Sequence, residues 1–383
     1  MTSDPKTSDK TKSAEPIPGG SLGPTTVLTC VDGATGRIGI RGFDLTELAE
    51  KCGYEEVAFL LWRGYLPKAN ELRRLKADLA EARRLPQPLL DLLATFPRDA
   101  HPVTVLRTAV SALGVFDLDA ESDNEQDSQA KSRHVTAQLP TVAAAWMCIR
   151  EGRPQSEPQA KATLAAGFLQ MLRGSEPSAQ EAQLLDKIFV VLADHGVDTP
   201  AAAARLVAAT RGDIYSALGA AIGALQGSLH GGATQGVMES LQRIGTRKKV
   251  ATQLERWLQK KQRLAGFGHA VHKRGDPRAV LLKPIAQELG ALAKETLWYE
   301  VATDLEAAVA VAVPGLAPNV DFYLAPALYS LGIAPEFFST VFACARSAGL
   351  CAHVMEQRGQ EAWGISATWS GSAPKPWKPL AER

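Results

Sequence analysis

Two histidines and an aspartate stand apart in this chain because of what surrounds them. His230 lies in GSLHGGA and His269 in GFGHAVHKRGDPR, so each occupies a Gly-rich break at the edge of a helical pattern. A histidine so placed can meet a ligand that a mid-helix histidine cannot. Near a helix N-terminus it tends to stay neutral and donate, because the helix dipole disfavours the cation. Asp321, in PNVDFY, stands between Val320 and Phe322. A carboxylate held among apolar groups is a stronger base than one in water.

Positive charge gathers beside the second histidine. Lys260, Lys261, Arg263, Lys273, Arg274 and Arg278 share their stretch with one acid, Asp276, and Gly266, Gly268 and Gly275 let backbone approach a ligand closely. Asp276-Pro277 is a helix start, and Arg278 sits just inside it, where orphan N–H groups favour an anion. Arg346 lies in the otherwise apolar FFSTVFACARSAGLCAHV, so its charge needs a partner if buried. Each residue also has a plainer reading. His230 could be a turn histidine bonded to backbone, Asp321 a helix N-cap, the basic run a solvated face, and Arg346 half of an internal ion pair.

The elements that must position these groups are helices. After a Pro/Gly-rich, polar segment over 1–24, expected to be a disordered tail, residues 27–30 and 37–41 flank DGATG as a short hairpin. From Asp44, with Glu47 three residues on as a capping box, one helix is expected through LAEKCGYEEVAFLLWRG. Further helices are expected from Asn70, from His101-Pro102, over 138–149, 160–172 and 180–195, and from Thr199-Pro200. Residues 117–132 read as a loop. IYSALGAAIGAL over 214–225 is apolar on nearly every side and should be buried all round, stopping at Gly227. Helical patterns follow over 282–292, 296–313 and 335–354, and the tail after Gly359 reads as irregular. Almost no alternating pattern occurs after Gly42, so the class is mainly α.

Composition sets outer bounds. The 383 residues allow two domains and a large core, at 45% hydrophobic and 22% charged residues. A formal charge of +1 gives no reason to expect nucleic acid or a membrane surface as partner, and no uncharged apolar run is long enough to suggest a span. Five cysteines without ligand spacing read as reduced core thiols of a cytoplasmic protein.

In order along the chain, RGFDLTELAEKCGYEEVAFLLWRGYLP, HPVTVLRTAVSAL, GSLHGGA, GFGHAVHKRGDPRA, PNVDFY and ACARSAGLCAHVMEQ resemble the citrate synthase family. The resemblance implies an all-helical, two-domain homodimer with a short N-terminal hairpin. Residues 25–231 and 333–383 would form the large domain, and 232–332 a small domain that closes over substrates. It implies addition of the methyl carbon of acetyl-CoA to a 2-oxoacid, usually oxaloacetate, then thioester hydrolysis, with acetyl-CoA as substrate and no cofactor or metal. By motif, Asp321 would be the base, His230 would hydrogen-bond the thioester oxygen, and His269 would activate the ketone. His195, Arg278 and Arg346 would bind the oxoacid. The loop with Arg263, Gly266, Gly268, Lys273 and Arg274 would hold CoA. A 2-methylcitrate synthase, a homologue using another 2-oxoacid, or a catalytically weak metabolite sensor stay open as alternatives.

The motifs depart from the family in two places. After Asp194-His195 the family continues with Glu and then Asn-Ala-Ser-Thr, where this chain has Gly196, Val197, Asp198, Thr199, Pro200 and Ala201. Near the C-terminus an arginine that crosses the dimer to a substrate carboxylate falls on Gly364 here. Loss of one charged partner commonly weakens binding about 30- to 150-fold. Gly364→Arg should therefore lower the KM for oxaloacetate, read from initial rates. Tight oxaloacetate binding by the unmodified protein would contradict this, and would leave Arg358 or another arginine to fill the place.

Overall fold

The computed structural model describes residues 25–156, 159, 161–227 and 233–360. His230, Gly364, the expected N-terminal tail and most of the tail after Gly359 lie outside these residues. Strands β1 (Thr29–Asp32), β2 (Arg37–Ile40) and β3 (Phe43–Asp44) form one antiparallel sheet in that order, with Thr29 opposite Ile40 and Gly39 opposite Asp44. The expected hairpin is present and gains a third, two-residue strand. Asp32 closes the turn by accepting from Ala34 and Thr35 backbone N–H groups.

Asp44 caps α1 (Leu45–Lys51) by accepting from Thr46 N–H. The single helix expected from here is in fact two. Cys52 is extended and Gly53 restarts the chain as α2 (Tyr54–Arg63), with Glu56 reaching back to Gly53 N–H at 2.8 Å. That second capping contact three residues after a glycine is what breaks the pattern. α3 (Ala69–Ala82), α4 (Gln87–Ala94) and α5 (Pro102–Phe116) follow. α6 (Glu125–Glu151) takes in half of the stretch expected to be a loop, because Asn124 caps it by accepting from Asp127 N–H.

The order continues with α7 (Leu164–Arg173), α8 (Ala179–Leu192), α9 (Thr199–Ala209), α10 (Ile214–Gln226), α11 (Ala233–Ile244) and α12 (Val250–Gln259). It closes with α13 (Pro277–Leu292), α14 (Leu297–Ala312), α15 (Val320–Ser330) and α16 (Phe338–Arg358). α8 ends three residues before His195 rather than including it, and the cap of α9 is Asp198 rather than Thr199. α10 is buried as its composition predicts, against α5, α9 and α16. α11, α13 and α14 all pack on α15, α12 packs on α14, and α13 also packs on α8.

α16 is the core helix: every residue from Phe338 to Val354 is buried, among α2, α5, α6, α8, α9, α10 and α11. Pro335–Arg358 is long enough for a membrane span and contains an 18-residue window of mean hydropathy 1.2, yet that window lies wholly inside the protein. Cys148, Cys344 and Cys351 are the buried thiols expected, whereas Cys30 is exposed and Cys52 half-buried, and all five are free.

The polar residues of α16 hold the chain just before His195. Arg205 Nε donates to His353 Nδ1 at 2.9 Å. A guanidinium can only donate, so His353 carries its proton on Nε2 and donates it to Asp194 Oδ1 at 3.1 Å. Gly349 has no side chain because none fits. A Cβ there would run into the Ala193 carbonyl oxygen and the Asp194 carboxylate. Gly349→Ala should cost about 1–3 kcal/mol through overpacking, despite the better helix propensity of alanine. Urea denaturation reads this; an unchanged or higher midpoint would show that α16 can retreat from Asp194 without loss.

Candidate active site

A cavity of about 630 Å³ is lined by the starts of α11 and α15, the loop before α13, the turn between α8 and α9, and α16. Of the residues singled out in the sequence, His195, Arg263, Gly268, His269, Arg278, Asp321 and Arg346 all reach its wall. Leu225 and Ala233, on either side of the segment that holds His230, line it too. Lys273 and Arg274 are exposed and do not line it. Gly266 does not line it either. It holds a left-handed φ of +78°, and a side chain there would collide with Val237 and Phe322.

Asp321 is not the cap of α15. Asn319 is, its side-chain oxygen accepting from Asp321 N–H at 3.1 Å. The Asp321 carboxylate is thereby left to the cavity, buried, where Thr234 Oγ1 donates to it at 2.5 Å. Burial raises its pKa to about 6, and Asp276 adds to the rise, while the Thr234 hydroxyl and Arg278 restrain it. A carboxyl that titrates near neutrality is suited to take a proton from carbon and give it back.

His269 is fixed as a donor. Its Nδ1 accepts from the backbone N–H groups of Val271 at 3.1 Å and His272 at 3.2 Å. Nδ1 therefore carries no proton, and a neutral ring must hold it on Nε2. Two local amides enforce the neutral donor that the sequence attributes to a helix dipole. His195 Nε2 and His272 Nε2 are 2.9 Å apart, one donating and one accepting. Burial, then the charges of Arg278 and Arg346, push the pKa of His195 well below its ordinary value, so it is neutral. Burial also lowers that of His272. The ring nitrogens of His195, His269 and His272 lie within 4.8 Å of one another, a spacing a metal ion could bridge. Because Nδ1 of His269 is taken up by two amides, a neutral ring has no lone pair left on Nε2, and the trio suits a carbonyl oxygen better than a cation.

The two buried arginines are each held by a carboxylate. Arg278 gives Nε and Nη2 to Asp276 at 3.0 and 2.8 Å, and Asp276 also caps α13 and accepts from Val320 N–H. Arg346 gives Nε to the Leu192 carbonyl at 2.7 Å and Nη1 to Asp198 at 2.5 Å, with its guanidinium 5.0 Å above the Phe342 ring. Sequence reasoning passed over Thr234, His272, Asn319 and Asp198 as site residues. A signal existed for Asn319, since Asn two residues before an acid is a common cap. Thr234 meets Asp321 only through the tertiary fold.

The family model for the citrate synthase C-terminal domain matches residues 21–365. The chain belongs to the citrate synthase family. Citrate synthase 2 of Bacillus subtilis is 38% identical over 317 residues, covering 82% of this chain and 85% of that protein. A 2-methylcitrate synthase of Mycobacterium tuberculosis is 37% identical over 333 residues, 87% and 84% of the two chains. Among solved structures, citrate synthase of Thermotoga maritima aligns with a TM-score of 0.85 at 30% identity, covering 95% of this chain and 98% of that one. A ternary complex of carboxymethyl coenzyme A and oxaloacetate with the Thermoplasma acidophilum citrate synthase aligns with a TM-score of 0.88 at 26% identity, covering 94% and 97%. The mainly α fold is thus that of citrate synthases, and the chain is an enzyme of the citrate synthase type.

The raised Asp321 pKa sets the pH dependence of any reaction it serves as base. The charged form is the competent one, so kcat/KM should hold above about pH 6 and fall as pH drops through that value. Thr234→Val removes a hydrogen bond to the charged form and should move this limb upward by about one pH unit. A limb that stays in place in pH–rate profiles of the variant would detach it from Asp321.

Proposed function

We propose that this cavity joins the methyl carbon of acetyl-CoA to the ketone carbon of a 2-oxoacid, oxaloacetate in the family pattern, and then hydrolyses the thioester. Asp321 takes a methyl proton while His230 donates to the thioester oxygen that gains charge. The resulting enol carbon attacks the ketone as His269 Nε2–H supplies the ketone oxygen with its proton. Water then cleaves the thioester, giving citrate and CoA. His195, Arg278 and Arg346 hold the oxoacid. Arg263 and the Gly266–Gly268 turn receive CoA, and the exposed Lys273 and Arg274 suit the far, phosphate-bearing end of so long a ligand.

The observation that carries this reading is the pairing, on one cavity wall, of a buried carboxyl titrating near 6 with a histidine locked as an N–H donor. We further propose that residues 232–332 close on the rest as a small domain, and that the enzyme is a cytoplasmic homodimer. Exposed Val115, Phe116 and Leu118 at the end of α5 support a covered face. A second reading, formation of a 2-methylcitrate-type product, is favoured by the Mycobacterium tuberculosis relative of that name.

Thiol release from acetyl-CoA, followed across a panel of 2-oxoacids, tests the proposal. Asp321→Asn should cut turnover about 10²- to 10⁴-fold while oxoacid binding persists in calorimetry. Near-normal thiol release from that variant would remove Asp321 from the chemistry.

A further inference from the structure

The oxoacid end of the cavity holds less positive charge than its arginines suggest. Asp276 offsets Arg278 and Asp198 offsets Arg346, with both guanidiniums buried. His195 is neutral and adds a hydrogen bond without charge. Arg263 also lines the cavity but is exposed. Both buried arginines come to the cavity already engaged by a protein acceptor on the Nε side and by a carboxylate. Arg278 gives Nε and one Nη2 hydrogen to Asp276, and Arg346 gives Nε to the Leu192 carbonyl and one Nη1 hydrogen to Asp198. Among the described residues the Arg346 Nη2 has no hydrogen-bond partner, so the nitrogen it holds ready for a ligand lies beside the one bound to Asp198.

Asp198 itself lines the cavity, and it is tied down twice. One carboxylate oxygen accepts from Ala201 N–H as the cap of α9, and the other accepts from Arg346. A ligand carboxylate brought to Arg346 must therefore sit close to a fixed negative charge. Like charges at such a contact are strongly disfavoured.

We infer that Asp198 is a specificity-determining residue that weakens the enzyme's preference for a two-carboxylate acceptor, so that 2-oxoacids bearing a single carboxylate are also accepted. The inference rests on the condensation reading above. A site built to bind a polar group rejects the analogue lacking it by about 10⁴-fold or more, whereas a site without dedicated partners discriminates only about 10- to 200-fold.

Thiol release from acetyl-CoA with oxaloacetate and with pyruvate tests it. The unmodified enzyme should favour oxaloacetate in kcat/KM by no more than about 200-fold. Asp198→Asn keeps a capping side chain and removes the charge, so this ratio should rise about tenfold or more. A ratio that stays or falls in a folded Asp198→Asn enzyme would overturn the inference and leave condensation standing. If that variant does not fold, the unmodified enzyme decides, since a preference for oxaloacetate above about 200-fold overturns it equally. Failure of the unmodified enzyme to release thiol with any oxoacid would overturn both readings together.

Discussion

Residues 266–268 and 317–319 are far apart in sequence but bonded to one another, and the site depends on that pairing. Asn319 N–H donates to the Gly266 carbonyl at 2.8 Å, Gly268 N–H donates to the Ala317 carbonyl at 2.9 Å, and the Asn319 side-chain amide donates to the Gly268 carbonyl at 2.9 Å. The same Asn319 caps α15. One asparagine thus fixes the loop that aims His269 and the first turn that aims Asp321. Relative placement to a fraction of an ångström is what lets an acid and a base act on one substrate. Asp276 adds a second tie, joining the start of α13 to Val320 N–H while it holds Arg278.

Around this junction the protein buries charge only in partnership. Arg278, Arg346 and Arg205 are each nearly inaccessible, and each meets a carboxylate, Asp276, Asp198 and Glu356 respectively. Removing one member of such a pair commonly costs 3–5 kcal/mol, because the other is left uncompensated. Asp321 is the exception on the cavity wall. Its main partner is the neutral hydroxyl of Thr234, and so its carboxyl is free to titrate near 6. The contrast separates groups that hold the site's shape from the one fitted to exchange a proton.

Much of this was legible in the sequence, and the misses have physical causes. Helix period, the Asp276-Pro277 start and the Gly-flanked His269 were local signals, and local chemistry honoured them. The break at Cys52-Gly53 and the early start of α6 were also local, but a continuous apolar pattern hid the first and an acidic stretch hid the second. Asp198 was passed over because its meaning lies in Arg346, whose position in the chain is 148 residues away. Thr234 and Asp321 likewise meet across 87 residues. His272 shares the loop of His269, yet only folding shows it against His195. Contacts of that reach are set by packing, which no window of sequence contains.

As the proposed base, Asp321 would remove a proton from the methyl group of the acyl-CoA. Proton exchange at that carbon, in deuterated water with an unreactive oxoacid analogue in the site, reads this step apart from condensation and hydrolysis. The unmodified enzyme should exchange the acetyl-CoA methyl protons, as followed by NMR, and Asp321→Asn should do so at least 100-fold more slowly, in keeping with the usual contribution of about 10²–10⁴ from a general base. Equal exchange rates in the two proteins would contradict it.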